Sequence, residues 1–157
     1  MAESIPMTPR GQQMLREELK RLKEIERPAV ILAIEEARAH GDLSENAEYS
    51  AAKERQSFIE GRIRDVEAKL SLAQVIDPTK LSGDKVVFGA TVTVVDPESD
   101  EEQTYSIVGD DESDIKLRLV SISAPIARAM IGRQVGDTVR VRTPRGVREL
   151  EIVGIKF

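Results

Sequence analysis

Residues 40–49 read HGDLSENAEY, and two helical patterns meet there with only His40, Gly41 and Asp42 between them. A connection that short forces the chain to reverse, so the flanking helices are expected to pack antiparallel as a hairpin. Upstream, Thr8 followed by Pro9 reads as an N-cap with proline in the first turn, opening one long helix that runs to Ala39. Its apolar positions Leu15, Leu19, Leu22, Ala29, Ala33 and Ala37 follow three-four spacing with a polar gap at Glu26, and Pro28 is expected to bend the helix without ending it. A second helix, from about Leu43 to Ala73, has the seam Tyr49, Ala52, Gln56, Ile59, Ile63, Val66, Leu70 and Ala73. About 30 residues per arm at about 1.5 Å each predicts a rod of roughly 45 Å, slim near the turn because Ala33, Ala37 and Ala52 are small.

Helical periodicity stops at IDPTKLSGD, residues 76–84, where Pro78 and Gly83 interrupt it and a strand pattern takes over. ATVTVVD (90–96) and QTYSIVG (103–109) read as strands joined by the acidic loop PESDEE, IKLRLV (115–120) as a third, and TVRVRT (138–143) and RELEIVGI (148–155) as a hairpin around Pro144, Arg145 and Gly146. Ser123 is expected to cap a short helix with Pro125 in its first turn, stopping at Gly132. The predicted class is α+β: an antiparallel coiled-coil hairpin over 1–77, a linker over 78–84, and over 85–157 a largely antiparallel sheet with one short helix.

Bulk properties exclude much. With no cysteine and one histidine, His40, the 157-residue chain offers no disulfide, thiolate zinc site, cysteine nucleophile or Ser-His-Asp triad. No apolar run approaches the roughly 18 residues of a membrane span, and the start MAESIPMTPR lacks a secretory pattern, so a cytoplasmic protein without membrane contact is expected. The net charge of −5 argues against coating nucleic acid. It is spread evenly: 12 basic and 15 acidic side chains precede Pro78, and 11 and 13 follow.

Chemistry concentrates at the turn. Asp42 and Glu45 stand three apart, a spacing that on a helix puts Cβ atoms about 5–6 Å apart on one face. Two carboxylates are too few for a tight Mg²⁺ site, since that ion takes six oxygen ligands; such a pair works by completing a site that a partner mostly provides, where the ion activates water against a phosphodiester. The same residues also read as a capping box, Asp42 at the N-cap and Glu45 three residues on. Glu48 reads as a solvated residue or a third ligand. Arg38, Lys53 and Arg55 flank the tip as phosphate contacts or as solvating charges, and Tyr49 is placed to stack on a base or to pack in the seam. In the second half, PESDEE and DDESD (110–114) read as solvated loops and Arg140, Arg142, Arg145 and Arg148 as the wet face of a hairpin. Pro125, Ile126 and Met130 of SAPIARAMI read either as an apolar patch for a partner or as core.

These stretches, together with IPMTPRG, GDLSENAEYSAAKE, EGRIRDVEAKLSLAQVIDPTK, FGATVTV, DEEQTYSIVGDDE and SAPIARAMIGR, make the chain resemble the GreA/GreB family of bacterial transcript-cleavage factors from end to end. The resemblance implies a coiled coil that enters the secondary channel of bacterial RNA polymerase and an FKBP-like second domain that docks at its entrance. It implies that Asp42 and Glu45 help the polymerase hold a shared Mg²⁺ ion so that the polymerase cuts backtracked RNA, with no cofactor bound stably to the factor alone. It places contacts with the RNA 3′ end at Arg38 and Lys53, lysine standing where the family shows arginine, and docking at Ser123, Ala124, Pro125 and Ile126. A monomer is expected. A regulator that occupies the same channel and inhibits is the second reading, and a coiled-coil adaptor or prolyl isomerase the third; Phe88, Tyr105 and Phe157 are too few aromatics to line an isomerase pocket.

Overall fold

The structure, a computed structural model, describes residues 3–41 and 46–157. Contacts divide the chain into two compact units, Gln13–Leu72 and Met1–Gln12 together with Ala73–Phe157. The sequence placed the division at residues 78–84. What moves it is a short parallel pairing of strands β1 (Ile5–Met7) and β2 (Ala73–Val75), which ties the first residues to the sheet-containing unit and ends the helical seam before Ala73.

The helical unit consists of α1 (Pro9–Arg21) from Gln13 onward, a π-helical stretch Leu22–Glu26, α2 (Arg27–Arg38) and α3 (Ala47–Ser71); the first four residues of α1 belong to the other unit. Thr8 caps α1 as expected, its hydroxyl accepting from the Gly11 amide at 3.1 Å. Pro28 lacks an N–H and its ring crowds the carbonyl four residues back. The helix absorbs this by widening: the Arg27 amide donates to the Leu22 carbonyl, five residues back. One residue is thereby inserted into the seam, which corrects the expected spacing. Val30, not Ala29, follows Leu22 into the interior; Val30 and Ile34 are buried with Ala37, whereas Ala29 is exposed. On α3, Ala52, Ile59, Ile63 and Val66 are buried as the seam predicts. Leu22, Val30, Ile59 and Ile63 form one apolar cluster with Leu19 against it.

Bidentate ion pairs bracket that seam. Arg62 donates through Nε and Nη2 to the two Glu18 oxygens at 2.6 and 2.7 Å, and Arg27 likewise to Glu60 at 2.9 and 2.8 Å. Glu60 and Arg62 lie two residues, about 200°, apart on α3, so the pairs sit on opposite flanks of the buried Ile59 and Ile63. The Arg62 hydrogen bond, reinforced by its charge, holds the Glu18 carboxyl below its ordinary value of 4.5, against a smaller opposing effect of burial. A carboxyl with a depressed folded-state value contributes stability that is complete above its unfolded value and is lost as pH falls through the folded one. Glu18→Gln is therefore expected to lower the melting temperature at neutral pH by a few degrees and to flatten its fall below about pH 4.5, read by circular dichroism at 222 nm; identical pH profiles would count against this pair.

The second unit holds a five-stranded sheet in the order β5-β4-β3-β7-β6, built from β3 (Thr91–Val95), β4 (Glu102–Val108), β5 (Leu119–Ser121), β6 (Thr138–Thr143) and β7 (Gly146–Lys156). The α+β class holds, with one refinement: β4 and β5 pair parallel, and the remaining pairs antiparallel. Alternation puts Val92, Val94, Tyr105, Ile107, Val139, Val141, Leu150 and Ile152 on one face, where Ala127 and Met130 of helix α4 (Pro125–Met130) pack.

The expected strand over 115–120 is mostly not one. Asp114 accepts from the Lys116 amide, Ile115–Leu117 form a 3₁₀ turn, and Arg118 is left-handed with φ 59°, so only Leu119–Ser121 extend. DDESD is also not a wholly solvated loop, because Glu112 is 5% exposed. The Thr8 hydroxyl donates to its carboxylate and the Arg10 guanidinium lies 3.4 Å away, so the buried charge has partners. Two glycines allow this approach: a Cβ on Gly11 would stand 2.8 Å from Glu112 Oε2, and one on Gly109 2.8 Å from the Pro6 carbonyl oxygen.

Candidate functional site

The helical reversal is built on Asn46. Its backbone is extended, α3 starts at the next residue, and its side-chain oxygen accepts from the Tyr49 amide at 3.1 Å. Its Nδ2 donates to the Ala37 carbonyl at 2.7 Å. One side chain thus satisfies an orphan donor at the start of α3 and adds a second donor to the Ala37 carbonyl near the end of α2, which already accepts from the His40 amide. Asn46 is thus the N-cap of α3, which starts at Ala47 where about Leu43 was expected; the capping-box reading falls on Asp42 and Glu45, outside the described residues. On the other side, His40 and Gly41 donate to the Ala37 and Arg38 carbonyls at 3.2 and 3.3 Å, a turn as expected. Asp42 and Glu45, the expected metal-assisting pair, lie outside the described residues, between these two anchored ends.

The flanking cations divide. Lys53 precedes Glu60 by seven residues and Arg38 follows Arg27 by eleven, each within about 20° of a whole number of turns, so both belong to the Arg27–Glu60 flank. Arg55 precedes Arg62 by seven and belongs to the opposite flank. All three are exposed, and Lys53 Nζ reaches Gln56 Oε1 at 3.3 Å. Tyr49 is half-buried, between its two readings, and Glu48 is exposed in the first turn of α3. Among the described residues no group of three His, Cys, Asp or Glu side chains is arranged to hold a metal ion, and no helix is long and apolar enough to cross a membrane.

In the sheet unit, Ser123 does not cap α4. The N-cap is Ala124, without a side-chain bond, and Ser123 Oγ instead donates to Asp110 Oδ1 at 2.8 Å and meets Ser121 Oγ at 2.8 Å. Ser123 and Pro125 are exposed, Ala124 and Ile126 half-buried, and Met130 is fully buried, which assigns it to the core. The expected wet arginines are exposed, although Arg148 turns to Asp96 at 3.3 Å and Arg140 to Glu149 at 3.2 Å. These charges line an open cleft of about 550 Å³ that has no aromatic wall.

The N-terminal family description "Transcription elongation factor, N-terminal" matches residues 5–75, and "Transcription elongation factor, GreA/GreB, C-term" matches 81–157. The chain belongs to the GreA/GreB family of transcription elongation factors. It is 63% identical over 153 residues to the transcription elongation factor GreA of Maricaulis maris, covering 98% of each chain. It is 61% identical over 155 residues to that of Caulobacter vibrioides, covering 99% of each. A solved structure of the transcription factor Gfh1 aligns over 99% of both chains at 29% identity with a TM-score of 0.48.

Proposed function

We propose that this GreA/GreB-family chain enters the secondary channel of bacterial RNA polymerase and stimulates the polymerase's own cleavage of RNA in backtracked complexes, with Asp42 and Glu45 delivered to the active site. The observation that carries this reading is the pairing of family membership over both halves with the acidic Asp-Leu-Ser-Glu sequence between α2 and α3.

The chemistry of the donor set fits the role. Two carboxylates are hard oxygen donors suited to Mg²⁺, and a polymerase that supplies the remaining ligands and the shared ion gives water activation and charge neutralisation at the scissile phosphate. Asp42 and Glu45 would supply two carboxylate oxygens and negative charge to help hold such an ion, and would accept hydrogen bonds from a water beside it. Asn46 holds the end of α2 to the start of α3. Arg38 and Lys53, on one flank, neutralise phosphates of the displaced RNA 3′ segment; Arg55, on the other flank, contacts a separate phosphate or the channel wall. The chain is thus an accessory factor whose residues complete another protein's catalytic site. Ser123, Ala124, Pro125 and Ile126 present the docking loop, ordered by Asp110 and Ser121.

Added to purified, halted polymerase complexes with Mg²⁺ present, the protein is expected to shorten the RNA from its 3′ end, read on a sequencing gel, and to restore elongation when nucleotides follow. Slower spontaneous cleavage in its presence would instead support an inhibitor occupying the same channel.

A further inference from the structure

Asn46 makes two side-chain hydrogen bonds, and only one of them is needed to start a helix. Its Oδ1 accepts from the Tyr49 amide at 3.1 Å, the bond that defines an N-cap. Its Nδ2 donates at 2.7 Å to the carbonyl of Ala37, nine residues back and 3% exposed. That carbonyl already accepts from the His40 amide at 3.2 Å, so the second bond relieves no unsatisfied group. It is a tether between the end of α2 and the start of α3. The sequence shows what the tether selects against. Asp42 and Glu45 have the spacing of a capping box, in which a helix starting at Leu43 turns the Glu45 carboxylate back onto a backbone amide. Running such a helix on into α3 requires helical backbone at residue 46, and Asn46 is extended, with φ −84° and ψ 104°. The two starts therefore exclude each other. Asparagine and aspartate are about equal as caps, so capping alone does not choose between them. The bond to Ala37, which belongs to the Asn46 start, adds the difference.

We propose that Asn46 is a positioning residue for transcript cleavage: its tether to Ala37 holds the start of α3 at Ala47, and so keeps the Glu45 carboxylate out of a helix cap and available to the shared ion. The inference rests on the reading of Asp42 and Glu45 given above and names the side chain on which their availability depends. In this role Asn46 acts through the backbone and not through contact with RNA or metal. Asparagine is the residue type that the role demands. Serine and aspartate cap a helix as well, but an ionised aspartate has no proton to donate, and the serine hydroxyl is too short to bond the Tyr49 amide and the Ala37 carbonyl at once.

Asn46→Ser keeps the cap and removes the tether, so it separates the two roles. In purified, halted polymerase complexes it is expected to lower the cleavage rate at saturating protein by about two- to fivefold, the equilibrium worth of one net hydrogen bond. It is also expected to raise the Mg²⁺ concentration for half-maximal cleavage. Melting and polymerase affinity should match wild type, because serine caps as well as asparagine and the Ala37 carbonyl keeps the His40 amide. Asn46→Asp, which also caps without donating, reads the same loss should the serine variant melt early. Wild-type cleavage and Mg²⁺ dependence in either folded variant make Asn46 an ordinary cap and overturn the proposal, while the reading of the two acids stands. A fall in polymerase affinity that accounts for the lost cleavage assigns Asn46 to docking and likewise overturns it. A wild-type chain that does not stimulate cleavage overturns both readings.

Discussion

Asp42→Asn with Glu45→Gln is expected to reduce stimulated RNA cleavage on the order of a hundredfold or more while leaving polymerase affinity within about twofold. The substitutions keep size and shape and remove two negative charges. A neutral amide oxygen is a far weaker ligand for a divalent ion shared between two proteins, so the loss falls on the chemical step and not on docking. The helix after the turn does not depend on these groups for its cap, since Asn46 supplies it. The variant should therefore melt like wild type, which separates lost chemistry from lost structure. Cleavage at wild-type rate by the folded double variant would remove both acids from the mechanism.

The second large effect is on stability. Ile63 is 2% exposed and belongs to the small cluster with Leu22, Val30 and Ile59 that forms the interior of the helical unit. Ile63→Ala removes three carbons from a core with few other apolar groups, and such truncations cost about 2–5 kcal/mol. For a unit of this size that is much of the available stability, so its melting transition should drop by about 10 °C or more. Cleavage should fail at temperatures where the sheet unit, whose core shares no residue with this cluster, remains folded and able to bind polymerase. A shift below about 3 °C would mean that Ile63 is not a principal contact of the hairpin.

The hairpin was legible because three-four spacing and a short connection leave few alternatives. Ile59, Ile63 and Val66 lie where the pattern placed them. Ala29 was misplaced because periodicity assumes a constant helix, and the π-helical stretch before Pro28 adds one residue that no hydrophobic pattern announces. Asn46 was overlooked because Asp42, also a favoured N-cap type, precedes it, and it is the extended backbone at Asn46 and its bond from the Tyr49 amide that assign the cap of α3. Glu112 was hidden inside an acidic run whose composition reads as solvated, while its partners Thr8 and Arg10 lie about a hundred residues away in sequence. The pairing of Ile5–Met7 with Ala73–Val75 escaped because three-residue strands carry no usable period. Of the site, the residue types and their order were readable; the division of Arg38 and Lys53 from Arg55 needed the helix register that the ion pairs reveal.

The central claim is that Asp42 and Glu45 help hold an ion that the polymerase alone retains weakly. The rate of RNA cleavage in halted complexes, measured across a Mg²⁺ titration with wild-type protein, with the Asn/Gln double variant and with none, tests it directly. The account predicts that the wild type lowers the Mg²⁺ concentration for half-maximal cleavage and that the double variant behaves as if no factor were present. The same half-maximal concentration in all three, with the wild type still faster, would contradict it.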